Sequence, residues 1–414
     1  MTTGAATPVN GASRSAGSAA SRNAAAPRSP LGMTLRWTTS APRPRSIQAA
    51  SAAPGPNDTM PIRASRRSST SRIIAARPPA DDCDPRPRTA RYARSPAREG
   101  YMAAVVQTVL GPIDAGRLGV TLSHEHVLIT FGDHLHYPWL FDWERTKARV
   151  IDELREAKAG GVDTIIDLTT PDLGRDVAFV REVAQASGMN VIVATGLWRD
   201  IPRSFWSRDP DEIADIFVRE IEVGIADTGI RAGVIKVAND MGGVTPEGER
   251  VLRAAARALK RTGCPISTHQ WAPEQVGARQ VEIFREEGAP MDRICIGHSA
   301  DTTDVDYLES LLQAGVFLSL DRYPGAPGRP DWRQRNATLK ALIERGWADR
   351  LMVGHDYAPL PVAAGAAEVV RERPTRYLFL RSVALPALAA EGVDPDIIER
   401  IQREVPRRFL TGEA

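Results

Sequence analysis

Several things are scarce in this chain, and each shortage removes a class of explanation. There are only three cysteines, Cys83, Cys264 and Cys295, odd in number and widely spaced. Such a count excludes a disulfide-stapled secreted scaffold and points to a reducing, cytoplasmic setting. No apolar run reaches the roughly 18–20 residues of a membrane helix. No charged start followed by an apolar core marks a secretory leader. No Gly-x-Gly-x-x-Gly follows an early strand-like run, so a dinucleotide-binding fold has no support. Lysine is absent from residues 1–100, which carry sixteen arginines and five acids, a net +11. With +2 over all 414 residues, the remainder is close to −9. A nucleic-acid function would therefore have to rest on the basic tail alone.

That tail, residues 1–100, is rich in Ala, Ser, Pro and Arg and keeps no period of 2 or 3.6. A segment of this kind cannot bury enough apolar surface to offset its ordering entropy, so it is expected to be disordered. It can be a basic interaction tail, a transit-like segment, or upstream sequence that is not translated in the cell. The last is favoured, because domain-like sequence opens at Met102-Ala-Ala-Val-Val-Gln-Thr-Val-Leu110. Residues 101–414 are expected to form one large domain.

Within that domain strand-like runs alternate with amphipathic stretches. The strands expected are Gly119–Ser123, Asp163–Leu168, Asn190–Thr195, Ala232–Val237, Pro265–Thr268, Arg293–Gly297, Val316–Leu320 and Leu351–Gly354. The helices include Trp143–Ala159, Asp211–Ile225, Pro246–Thr262, Pro273–Glu287 and Asp304–Ala314, with glycine often at their ends. Eight strand–helix units over roughly 300 residues predict an α/β fold, a (β/α)8 barrel. Arg371 to Thr411 reads as helices closing the last unit, with residues 404–410 as a final packing turn.

The chain is organised around Gly119-Val-Thr-Leu-Ser-His124-Glu-His126. On a strand, residues two apart share a face, so two imidazoles can be aimed at one point, as a divalent metal requires. Two histidines on a loop would be the plainer reading. Chemistry in such a barrel lies at the C-terminal ends of the strands. The fifth strand ends in His269, the sixth in His298 and the eighth in His355-Asp356. Five metal-capable groups around one mouth, His124, His126, His269, His298 and Asp356, point to metal binding. His355 should face away from Asp356 and is not expected to be a ligand. Lys236 lies in an apolar strand, either as an ion-paired lysine or as a neutral amine that takes up carbon dioxide to become a bridging carbamate.

Gly119 to Val127, Ala194–Trp198, Gly229–Val237, Thr268-His269, Cys295–Ser299 and Leu320–Tyr323 together resemble blocks of the phosphotriesterase family of the amidohydrolase superfamily, including its lactonase branch. The resemblance spans about 111–410. It implies a binuclear site: His124, His126 and Asp356 on a buried metal, His269 and His298 on a more exposed one, with carboxylated Lys236 and a hydroxide between them. The metals would be zinc, cobalt, manganese or iron. The hydroxide would attack a lactone carbonyl or a phosphoryl group, with Asp356 taking its proton. Asp301 would relay that proton outward, or else cap the following helix.

Lactones, N-acyl homoserine lactones among them, are the preferred substrates, with organophosphates as a promiscuous or rival class. Arg322 and Tyr323 resemble the mouth of the lactonase branch. The apolar stretch 357–367 suits an acyl chain. Trp198 is placed to meet substrate where lactonases tend to carry tyrosine. The resemblance also implies a homodimer. His134-Leu-His136, with Tyr137, Trp139 and Phe141, is expected to shape the pocket rim or a subunit contact.

Overall fold

The computed structural model describes residues 104–367 and 376–413. The readings made for residues 1–100, and for the first residues of the C-terminal stretch, lie outside that range. A short antiparallel hairpin opens the described chain, β1 (Val105–Thr108) and β2 (Gly111–Asp114). The sequence reading did not foresee it.

Eight parallel strands follow in one sheet whose neighbours are consecutive in the chain. They are β3 (Thr121–Glu125), β4 (Thr164–Asp167), β5 (Asn190–Gly196), β6 (Val234–Ala238), β7 (Ile266–His269), β8 (Ile294–Ile296), β9 (Phe317–Leu320) and β10 (Leu351–Val353). All eight expected strands are present, with no end shifted by more than two residues. The first and last approach at the rim, where the Asp356 N–H donates to the His124 carbonyl (2.9 Å) and the His126 N–H to the Tyr357 carbonyl (3.0 Å). The chain is therefore a (β/α)8 barrel, and the bonds that draw its edges together run through residues of the expected site.

The helices form where the sequence supplies both face and cap. Trp143–Ala159 starts on Asp142, whose side chain accepts from the Arg145 N–H. Pro246–Thr262 starts on Thr245 and stops at left-handed Gly263. Pro210–Glu222 and Trp332–Glu344 open on reciprocal capping boxes, Asp209 with Glu212 and Asp331 with Gln334. The last segment departs from expectation. Residues 404–410 are not a separate turn but the end of a 17-residue helix, Pro395–Thr411, with Pro406 inside it.

Alternation along the strands sorts two cores. Ile165, Val191, Val193, Ile235, Ile266 and Leu318 face the helical layer. Ile166, Ile192, Val234, Cys295, Phe317 and Met352 fill the interior, which Val106 of the hairpin and Val405 and Phe409 of the last helix cover from below. Moving toward the strand C-termini the inward series turns polar: Val234 is followed two residues later by Lys236, and Ser319 pairs with Ser123 across the barrel at 2.8 Å.

Candidate metal centre and its surroundings

Every expected ligand projects from the C-terminal end of a barrel strand. His124 and His126 leave β3, Lys236 stands on β6, His269 ends β7, and His298 and Asp356 follow β8 and β10. The strand ends hold them under backbone constraint. His298 (φ 55°), Arg322 (φ 66°) and Asp356 (φ 51°) are left-handed, a conformation costing of order 1–3 kcal/mol for a non-glycine residue. Two glycines give the site room. A side chain at Gly196 (φ 106°) would place its Cβ 1.9 Å from the Lys236 carbonyl oxygen. One at Gly354 would come within 2.9 Å of the His124 carbonyl.

The convergence is close. His124, His298 and Asp356 offer ligand atoms within 4.8 Å of one another. His126 Nε2 lies 3.1 Å and His124 Nε2 3.4 Å from Asp356 Oδ1. The His269 and His298 rings are 4.3 Å apart, and His124 stacks on His298 at 4.6 Å. Lys236 Nζ is 3.3 Å from His124 Nε2 and donates to the Thr268 carbonyl at 3.3 Å. His269 Nε2 is buried with no hydrogen-bond partner.

Burial sets the electrostatics. It lowers the basicity of His124 and His298 and brings His269 down to about 4, so the imidazoles are neutral donors at pH 7. It brings the Lys236 ammonium down to about 8, against the pull of Asp356 and Asp321. A tenth or so of this amine is then neutral and nucleophilic at pH 7. Burial works the other way on Asp356, but the neighbouring His124, His298 and Arg322 outweigh it and hold the carboxyl well below the usual range. Neutral imidazoles, an ionised carboxylate and a partly neutral amine form a donor set that fits divalent zinc, cobalt, manganese or iron.

A layer behind the donors orients them. Asp321 is fully buried; it accepts from His124 Nδ1 (2.9 Å), His298 Nδ1 (2.7 Å) and the His298 N–H (3.1 Å). Burial opposes its ionisation, yet those imidazoles hold it well below the usual carboxylate range. One carboxylate thus turns the Nε2 atoms of two histidines toward the cluster. On the far side, Thr169 meets His126 Nδ1 at 2.9 Å and donates to Asp167 at 2.5 Å. The sequence reading quoted Asp321 within a family block but gave it no task, and Thr169 and Asp167 were missed. A carboxylate at or directly after the end of a strand was the available signal for Asp321 and for Asp167, which ends β4; nothing local marks Thr169.

Other expected residues fall unevenly. A cavity of about 140 Å³ opens over the cluster, lined by the four candidate-ligand histidines, Lys236, Asp356, Arg322 and Trp198, with Ile129, Phe131, Leu173 and Ala358 as its apolar wall. Arg322 donates to Asp356 (2.9 Å) and Asp301 (2.6 Å). Tyr323 does not reach the mouth: it is fully buried, and its hydroxyl donates to Asn336. Both residues lie beyond the end of β9, where the left-handed backbone at Arg322 sends the two side chains to different surroundings.

Asp301 is not the cap of the following helix. Asp304 is, accepting from the Tyr307 N–H at 3.0 Å. Asp301 instead accepts from Arg322, Arg335 and Arg329. His355 faces away, as expected, and pairs with Glu125 at 2.8 Å. His134 Nδ1 is taken up by Thr130 at 2.7 Å, and His136 lies on the same short helix, Asp133–His136.

Comparison with known proteins agrees with this geometry. The phosphotriesterase family model matches residues 104–410. A phosphotriesterase homology protein of Mycobacterium tuberculosis is 42% identical over 317 residues, covering 74% of this chain and 97% of that protein. An aryldialkylphosphatase of Saccharolobus solfataricus is 35% identical over 306 residues, covering 72% and 97%. A solved structure described as organophosphate hydrolysis activity engineered from a weak promiscuous lactonase template superposes with a TM-score of 0.68 at 32% identity, covering 74% of this chain and 99% of that one.

Proposed function

The chain belongs to the phosphotriesterase family, whose members are metal-dependent hydrolases, and on that premise we propose that it opens lactones, N-acyl homoserine lactones foremost, and hydrolyses phosphotriesters as a side activity. The observation that carries the reading is the convergence of His124, His298 and Asp356 within 4.8 Å on the floor of a cavity with an apolar wall. His124, His126 and Asp356 would hold one divalent ion, His269 and His298 a second, and carboxylated Lys236 both. Bound there, the pair supplies an acidified water and a positive charge against the scissile oxygen.

The chain's own residues do the rest. Asp356 is kept ionised by its imidazole neighbours and receives the proton of the attacking water. Arg322, tied to Asp356 and Asp301, fixes that carboxylate's orientation and offers a cation at the mouth. Asp301 accepts from three guanidiniums, none of which can take up a further proton, so a proton leaving through Asp301 would have to pass directly to water. Trp198, Phe131, Leu173 and Ala358 give an acyl chain an apolar seat and exclude water from it. Tyr323, buried with its hydroxyl on Asn336, does not meet substrate.

The test is a substrate panel on zinc-loaded protein. A higher kcat/KM on a long-chain acyl homoserine lactone than on paraoxon is expected; a tenfold preference for paraoxon would make the enzyme a dedicated phosphotriesterase. Residues 1–100 are proposed as an extension separate from the 101–414 hydrolase domain. Deleting them should leave hydrolysis intact, whereas loss of DNA binding on deletion would favour a nucleic-acid role for the basic tail.

The homodimer is a proposal as well. Leu135 (70% exposed) and Trp139 (68%) stand out beside Phe131, Tyr137 and Leu140, an apolar run that a second copy would cover. Sedimentation of Leu135→Asp should show monomer where the unaltered chain shows dimer. Among the described residues no helix is long and apolar enough to cross a membrane.

A further inference from the structure

Four of the proposed ligands have orienting partners that the fold makes obvious; His269 has a less obvious one. Its two ring nitrogens face different neighbours. The Trp198 indole Nε1–H donates to Nδ1 at 3.3 Å. Nε2 has no hydrogen-bond partner, and Asp240 Oδ1 stands 3.6 Å from it. Asp240 is itself held on several sides. Arg199 meets its other oxygen, Oδ2, at 2.6 Å, and the Met241 N–H donates to Oδ1 at 2.9 Å. Its loop is tied down by the Asp240–Gly243 bridge and by Glu274, which accepts from the Gly242 N–H at 2.9 Å. The same Arg199 guanidinium lies over the Trp198 ring at 4.9 Å. One arginine therefore links the two groups that address His269, across the loops that follow β5 and β6.

The chemistry of a neutral imidazole decides what this means. It carries one proton, and the nitrogen without the proton is the donor to a cation. An indole N–H on Nδ1 requires that nitrogen to hold the lone pair, which leaves the proton on Nε2, facing the Asp240 carboxylate. We propose that Asp240 is the positioning residue of His269: it anchors Nε2–H, makes Nδ1 the metal-facing nitrogen, and leaves the Trp198 indole as a displaceable cover that metal loading moves aside. The proposal rests on the divalent-metal reading above. It concerns a carboxylate that no sequence motif singled out, and it gives Trp198 a role in metal uptake beside its place on the cavity wall. Carboxylate–histidine–metal arrangements of this type change metal affinity by roughly 10–100-fold when the carboxylate is lost.

The experiment is zinc binding to the full chain, read by chelator competition, with tryptophan fluorescence followed on metal addition and thermal unfolding of the metal-free protein recorded alongside. Asp240→Asn should weaken the less tightly held zinc equivalent by roughly 10–100-fold with little change in metal-free Tm, and Asp240→Glu should recover most of that affinity. Arg199→Met keeps the carboxylate but frees it, and should weaken the same equivalent by a smaller factor; it carries the test if Asp240→Asn does not fold. Zinc should change the fluorescence of the unaltered chain, and that change should shrink in Trp198→Phe, which should bind zinc at least as tightly. Unchanged affinity in both Asp240→Asn and Arg199→Met, or a tenfold loss of affinity in Trp198→Phe, would overturn the proposal. If the unaltered chain bound no zinc, the functional reading itself would fail with it. Two bound equivalents together with indifferent variants would remove this inference alone.

Discussion

The two ends of the barrel solve opposite problems with the same eight strands. At the N-terminal end Val234, Cys295, Phe317 and Met352 meet Val405 and Phe409 in a closed apolar plug. At the C-terminal end the same inward positions carry Lys236 and Ser319, and the backbone of His298, Arg322 and Asp356 is left-handed. One end contributes burial and stability. The other holds buried polar groups that cost stability in the metal-free chain and would gain partners if cations bound there. A few residues along a strand separate the two regimes, so function is added to this fold without disturbing its foundation.

Lys236→Ala is the sharpest way to break that contrast. It should lower kcat/KM by about a thousandfold or more and reduce bound metal, because a two-metal site contributes several kcal/mol to the barrier. Short carboxylic acids should restore part of both. Full activity in Lys236→Ala, by steady-state kinetics and metal analysis, would remove the carbamate. Phe409→Ala probes the other end. It should destabilise the fold by about 3–5 kcal/mol in denaturant titration while the folded fraction keeps its kcat/KM within about twofold. A selective loss of activity would show that the ends are not independent.

Asp321→Asn should weaken zinc binding by roughly 10–100-fold through misorientation of His124 and His298, again by chelator competition. The smallest effect concerns pH. His269 folds with its proton affinity lowered to about 4, so between that and the ordinary value near 6.5 the unfolded chain binds the extra proton and stability rises with pH. For Lys236 the corresponding rise lies between about 8 and the ordinary value of 10.5. The metal-free Tm should therefore climb across both windows, and Lys236→Met should flatten the upper one. A lysine-window slope that survives this change would refute the assignment.

Much of this was legible in order along the chain. Periodicity marked all eight strands because each is a short, largely apolar segment, three to seven residues long, between turn signals. The candidate ligands were legible because a barrel strand that ends in histidine suggests where its chemistry lies. Capping fixed the helix starts, although of the two roles open to Asp301, relay or cap, the cap is supplied by Asp304, which lies nearer the same helix. Tyr323 was read with Arg322 as one motif, but neighbours in a chain need not share a face, and here one lines the cavity while the other is buried in the core.

Sequence alone thus determined the strand–helix alternation, the positions of His124, His126, Lys236, His269, His298 and Asp356 at or near strand ends, and the kind of chemistry those donors allow. Tertiary structure alone decided which groups orient them. His124 meets Asp321 across 197 positions, and Glu125 meets His355 across 230. Asp240 and Trp198 address opposite nitrogens of His269 from two different loops. Periodicity and capping act within a few residues, whereas hydrogen bonds between strand ends depend on how the barrel closes, which no local pattern encodes.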